Sequence, residues 1–122
     1  MATIELKSAN LKSTIDDNDI LIIDFWASWC GPCKAFAPTF EDASEKHPDI
    51  AFAKCNTEAE REVAGTFSVR SIPTVAVFRE GILIFQQPGA LPAAGLEDLI
   101  KQVQGVDMAS VREQLKAQEE SV

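Results

Sequence analysis

The chain has 122 residues, enough for one domain with a buried core and too few for two ordinary ones. Hydrophobic residues make up 46% and charged residues 25%, the balance of a soluble globular protein rather than a disordered or membrane-spanning one. A net charge of −8 with no Lys or Arg cluster excludes the basic face that nucleic-acid binding requires.

The opening stretch MATIELKSAN lacks a cationic start followed by an apolar run, so no secretory signal is expected, and no later run is long enough for a membrane span. Three cysteines are an odd set for a disulfide-stapled secreted domain, and a reducing cytoplasm is the simpler expectation. Thr3–Leu6 reads as a short strand, and Ser8–Ile15 as a short helix with Ser8 as its N-cap, followed by an acidic loop at Asp16–Asp19. Ile20–Ala27 is a nearly continuous β-branched and aromatic run, which suits a strand covered on both faces.

Lys34–Lys46 reads as a helix, with Phe36, Phe40 and Ala43 at helical spacing, a kink expected at Pro38 and a stop at Pro48. Ile50–Asn56 is a further strand. Thr57–Glu60 matches a capping box that would open a helix to about Ala64. The strands TVAVFR and ILIFQQ flank Glu80-Gly81, a hairpin in which Gly81 supplies the positive φ. Leu96, Leu99, Ile100 and Val103 then line one face of a helix that starts near Pro92 and stops at Gly105. This order of strands and helices implies a mixed sheet with helices on both faces.

Cys30 and Cys33 stand two residues apart between a strand and a helix. A structural metal site needs about four ligands, usually from two such pairs. This chain offers one pair, one further Cys and a single His. His47 lies about fourteen residues past Cys33, hence roughly 21 Å along a helix, too far to share a ligand set or serve as a base. Redox chemistry is the favoured reading, with metal binding and two unreactive thiols behind it as alternatives. A cysteine at a helix N-terminus has exposed N–H groups and the helix dipole beside it, which favour thiolate. Cys30 is then the nucleophile toward a substrate disulfide, and Cys33, one turn in and more buried, resolves the mixed disulfide. Gly31 and Pro32 set the turn between them.

The stretch FWASWCGPCK, Phe25–Lys34, resembles the active-site motif of the thioredoxin family. SIPT at Ser71–Thr74, the Glu80-Gly81 hairpin and PGA at Pro88–Ala90 follow in the same order, so the resemblance spans about residues 3–104. It implies a thioredoxin fold, with a mixed five-stranded sheet flanked by helices on both faces. It implies a proton-transfer role for Asp24, which interrupts an apolar strand, and a tuning role for Lys54 beside it. It implies a cis peptide before Pro73, and a shallow apolar docking surface from Trp29, Ile72, Pro73, Gly89 and Ala90, with the Ile72 backbone pairing with an extended substrate. Trp26 is read as support for the loop and Cys55 as a core thiol.

The implied activity is that of a cytoplasmic protein-disulfide reductase, monomeric and without a bound cofactor, reloaded by an NADPH-dependent thioredoxin reductase. Two alternatives remain: a disulfide isomerase or oxidant, against which Gly-Pro between the cysteines argues, and a docking or chaperone module with incidental thiols. Two departures stand out. Pro88 removes a backbone donor beside Gly89. The segment 106–122 extends beyond the expected domain of residues 1–105, with Met108, Val111 and Leu115 at helical spacing, as a helix packed on the domain or a contact for a partner.

Overall fold

The computed structural model describes residues 2–120. Its strands are β1 (Thr3–Glu5), β2 (Ile20–Trp26), β3 (Ala51–Asn56), β4 (Thr74–Arg79) and β5 (Ile82–Pro88). Its helices are α1 (Leu11–Asp16), preceded by a 3₁₀ turn at Ser8–Asn10, then α2 (Gly31–Lys46), α3 (Arg61–Thr66), α4 (Ala93–Gln104) and α5 (Met108–Glu120). The five strands lie in the order β1-β3-β2-β4-β5. β1, β3 and β2 run parallel, while β4 is antiparallel to both β2 and β5. This is the mixed sheet the sequence implies.

Alternation along β2 separates two cores. Ile20 and Ile22 join Phe36, Phe40, Leu96 and Ile100 under α2 and α4. Leu21, Ile23 and Phe25 join Ala53, Cys55, Val63 and Phe78 on the other face, with Leu11 and Ile15 of α1 packed against them. A central strand buried on both faces needs an unbroken apolar run, and Ile20–Phe25 supplies one except at Asp24.

Two expected caps are absent, and two long-range contacts explain them. Ser8 does not cap α1; its N–H and hydroxyl both donate to Glu60 Oε1, at 2.9 and 3.3 Å. The capping box at Thr57–Glu60 fails because Glu60 is engaged with Ser8 and the Thr57 hydroxyl donates to the Trp26 carbonyl, at 3.1 Å. The chain therefore turns through residues 57–59, and α3 starts only at Arg61. Long-range partners outbid the local ones that spacing suggested.

The remaining differences are smaller. α2 starts at Gly31, three residues before the expected Lys34, and contains Pro38 on its exposed side. Both hairpin residues, not Gly81 alone, have positive φ: 54° at Glu80 and 81° at Gly81. This is the twist that joins two right-handed strands. Gly105 closes α4 at φ −90°, so glycine's freedom is not what stops the helix. Arg79 Nη1 does so, donating to the carbonyls of Val103, Gln104 and Val106 at 2.7, 3.1 and 3.1 Å. The tail forms α5, which buries Met108 and joins Arg112 to Glu80 in an ion pair. Met1, Ser121 and Val122, at the ends of the expected domain and tail, lie outside the described residues.

Candidate active site

β2 delivers the chain to the upper edge of the sheet, where a short loop leads into α2. Cys30 is the N-cap of that helix, with extended backbone angles, and Cys33 lies in its first turn. The two are joined by a disulfide with Cα atoms 5.2 Å apart. The Cys33 N–H donates to Cys30 Sγ at 3.2 Å. Once the pair is reduced, that N–H and the dipole of α2 favour the Cys30 thiolate. Exposure hardly separates the sulfurs, since Cys30 is 5% and Cys33 3% exposed. Their positions on the helix do differ, Cys30 at its cap and Cys33 within its first turn.

The loop between α3 and β4 closes over this end of α2. The Ile72–Pro73 peptide is cis, and the Ile72 carbonyl oxygen lies 3.7 Å from Cys30 Sγ. Gly89, at φ 107°, donates its N–H to the Pro73 carbonyl at 2.7 Å. A Cβ at Gly89 would meet nothing, so its positive φ rather than crowding is what calls for glycine. Pro88 ends the edge strand opposite Thr74, where its missing N–H leaves no ladder bond unmade on the open side.

Four of the expected docking residues line two depressions, one including Trp29 and Ile72 and the other Gly89 and Ala90. Trp29, 67% exposed, lines a hollow of about 400 Å³ with Ile72, Ser71, Val69 and Thr57. Gly89 and Ala90 line another of about 220 Å³ with Pro88 and Leu91. Gly31 and Pro32 are exposed between the cysteines.

Asp24 is fully buried, and neither carboxylate oxygen has a hydrogen-bond partner among the described residues. By strand alternation it shares the face of Ile20 and Ile22, the face covered by α2. Burial pushes its carboxyl up to about 7, and the Lys54 ammonium pulls in the opposite direction. Lys54 is directly opposite Asp24 in the β2–β3 pairing, and its Nζ lies 5.3 Å from the centroid of the Trp26 ring rather than in an ion pair with the carboxylate. Trp26 thus supports the cation that faces the buried acid.

Cys55 faces the other core and is fully buried; burial, then Glu60, pushes its thiol up to about 11, so it stays protonated. His47 caps the far end of α2 and bonds to Glu97 Oε1 at 2.8 Å. No group of His, Cys, Asp or Glu among the described residues is arranged to hold a metal ion. The residue that sequence reasoning missed is Thr74. It is buried, and its hydroxyl donates to the Ser71 carbonyl at 2.6 Å. A threonine directly after a structured proline was the only signal for it.

A disulfide-bonded cysteine pair at a helix N-terminus, with a cis-proline loop against it and a buried acid on the adjoining strand, is the arrangement of a thiol–disulfide exchange protein. The thioredoxin family model matches residues 2–102, and the chain belongs to that family. A Streptomyces coelicolor relative assigned as thioredoxin 2 is 48% identical over 118 residues, covering 97% of this chain and 88% of its own, so the match takes in most or all of α5. The mitochondrial thioredoxin 3 of Saccharomyces cerevisiae in its oxidised form superposes with a TM-score of 0.75 at 36% identity, over 82% of this chain and 94% of its own. A mutant thioredoxin of Halobacterium salinarum gives 0.80 at 29% identity, over 86% and 93%. The protein is a thiol–disulfide oxidoreductase of the thioredoxin type, and its redox-active group is the Cys30–Cys33 disulfide. No helix among the described residues is long and apolar enough to cross a membrane.

Proposed function

We propose that the chain is a cytoplasmic, monomeric protein-disulfide reductase that needs no cofactor beyond its own cysteine pair. The Cys30 thiolate attacks one sulfur of a substrate disulfide. That bond breaks, a Cys30–substrate disulfide forms, and the departing thiolate takes up a proton. Cys33 gives its proton to Asp24 and attacks Cys30 Sγ, the Cys30–substrate bond breaks, and the second substrate sulfur leaves as a thiolate that takes up a proton while Asp24 returns its own to solvent. The substrate gains two electrons and two protons, and the protein is left with its Cys30–Cys33 disulfide. An NADPH-dependent thioredoxin reductase supplies the electrons that reopen it.

Lys54 tunes Asp24. The substrate segment lies extended along the Ile72 backbone, between Trp29 on one side and Gly89 and Ala90 on the other, with Pro73 beneath it and Gly31 and Pro32 shaping the approach to the sulfurs. Residues 1–105 carry the chemistry, and the tail from residue 106 packs on them as a helix. The observation behind this reading is the 3.7 Å approach of Cys30 Sγ to the Ile72 carbonyl, a redox sulfur beside an unpaired backbone edge.

The test is trapping. Cys33→Ser, mixed with a disulfide-bonded protein, is expected to accumulate covalent adducts through Cys30 on a non-reducing gel, and Cys30→Ser is expected to form none. Adducts through Cys33 instead would reverse the assignment. A wild-type protein that reduces nothing would leave the docking module as the reading.

A further inference from the structure

Thr74 is one of the few buried polar residues of the chain, 3% exposed, and it is the first residue of β4. Its backbone is held on both sides, opposite Phe25 in β2 and Pro88 in β5. The next residues upstream are held far less. Among the described residues, the backbone of Ser71 and Ile72 makes two polar contacts: the Ser71 carbonyl accepts from the Thr74 hydroxyl at 2.6 Å, and the Ile72 carbonyl lies 3.7 Å from Cys30 Sγ. The second cannot anchor the loop in the oxidised protein, because a disulfide sulfur has no proton to donate. At Ser71 and Ile72 the backbone's only polar tie to the sheet among the described residues is therefore one short hydrogen bond from one buried side chain, beside the packing of the Ile72 side chain on the core and the Gln86–Phe67 bond at the start of the loop. On the other side, the Gly89 N–H holds the Pro73 carbonyl at 2.7 Å.

We propose that the Thr74 hydroxyl is a positioning group for protein substrates: by fixing the Ser71 carbonyl it holds the Ile72 backbone edge where an extended substrate must pair beside Cys30. The inference rests on the reductase reading above and adds a determinant to it. Ordering a substrate-pairing edge before binding spares the complex that ordering cost, so its loss weakens binding of extended chains. A small disulfide needs only the Cys30 sulfur and does not use the edge. Thr74 touches neither substrate nor sulfur and acts through Ser71 and Ile72.

The experiment compares two substrates: insulin, a disulfide-bonded protein, turned over with dithiothreitol as the electron source, and 5,5′-dithiobis(2-nitrobenzoate), a small disulfide, mixed in a single turnover with protein that was reduced beforehand and freed of dithiothreitol. Thr74→Val keeps the shape and removes the hydroxyl. It is expected to lower kcat/KM for insulin about tenfold, mostly through KM, the worth of one hydrogen bond. The rate with the small disulfide stays within about twofold, and Thr74→Ser retains both rates within the same margin. An unchanged ratio between the two substrates overturns the inference, whether both rates hold or both fall. So does a Thr74→Ser variant as impaired as Thr74→Val, or a Thr74→Val variant that no longer reacts with the small disulfide, since either points to packing or folding. A wild type inert toward insulin overturns the reductase reading itself, whereas an active wild type with an unmoved ratio overturns this inference alone.

Discussion

Asp24 and Cys55 are buried ionisable side chains on neighbouring strands, facing opposite cores, and they meet opposite fates. Burial raises both, Cys55 to about 11 and Asp24 to about 7. Near neutral pH the thiol stays a small apolar group, while the carboxyl is half ionised and able to take or give a proton. That capacity costs stability. A carboxyl raised from 3.8 to about 7 keeps its proton in the folded chain where the unfolded chain has lost it, so stability falls as pH rises through this window and levels off above it. The equivalent is about 4 kcal/mol, an upper bound because Lys54 and local relaxation offset part of it. Asp24→Asn is therefore expected to be more stable than wild type at pH 8 and about equal to it at pH 4, by urea unfolding at the two pH values. The same variant should slow release of the Cys33-resolved product near pH 7. An Asn variant no more stable at pH 8 would contradict the burial argument, and an unchanged release rate would remove Asp24 from the chemistry.

The elements that were legible in the sequence are those whose signal is local and strong. The Ile20–Trp26 strand, the Glu80-Gly81 hairpin and the helix of Leu96–Val103 each follow from periodicity or turn chemistry within a few residues. Cys30 and Cys33 were legible because their spacing falls between a strand and a helix, within a stretch, Phe25–Lys34, that resembles a known redox motif. What was not legible depended on partners distant in sequence. Ser8 and Thr57 both look like caps, yet Glu60 bonds to Ser8 and Thr57 bonds to the Trp26 carbonyl. Arg79 was silent for the same reason, since it reaches across to α4; Thr74 reaches back only three residues, to Ser71, but across a cis-proline turn that residue spacing alone does not describe. If Glu60 joins the start of the chain to the start of α3, Glu60→Ala should lower stability by about 1 kcal/mol. A shifted urea midpoint at unchanged slope would report this, and no shift would mean that solvent replaces the contact without loss.

For the whole molecule, the tail is the feature that the reaction does not require. α5 buries Met108 and pairs Arg112 with Glu80, at the hairpin end of the sheet, away from the cysteines. Val111 and Leu115 line a shallow hollow with Ile82, Leu83 and Val106. With α5 serving as a helix packed on the domain, Met108→Ala is expected to cost about 2 kcal/mol of stability with insulin reduction unchanged. A reduced rate at unchanged stability would instead tie the tail to the active site. The central claim concerns the direction in which the Cys30–Cys33 pair drives electrons, and its reduction potential measures that most directly. The protein is equilibrated in defined dithiol–disulfide buffers and its alkylated cysteines are counted by mass, with Cys55→Ala as control. A value near about −270 mV is expected, the reference value for thioredoxin rather than a consequence of this geometry, and a reductase follows from it. A value near about −180 to −120 mV would contradict the account and make the protein an isomerase or an oxidant.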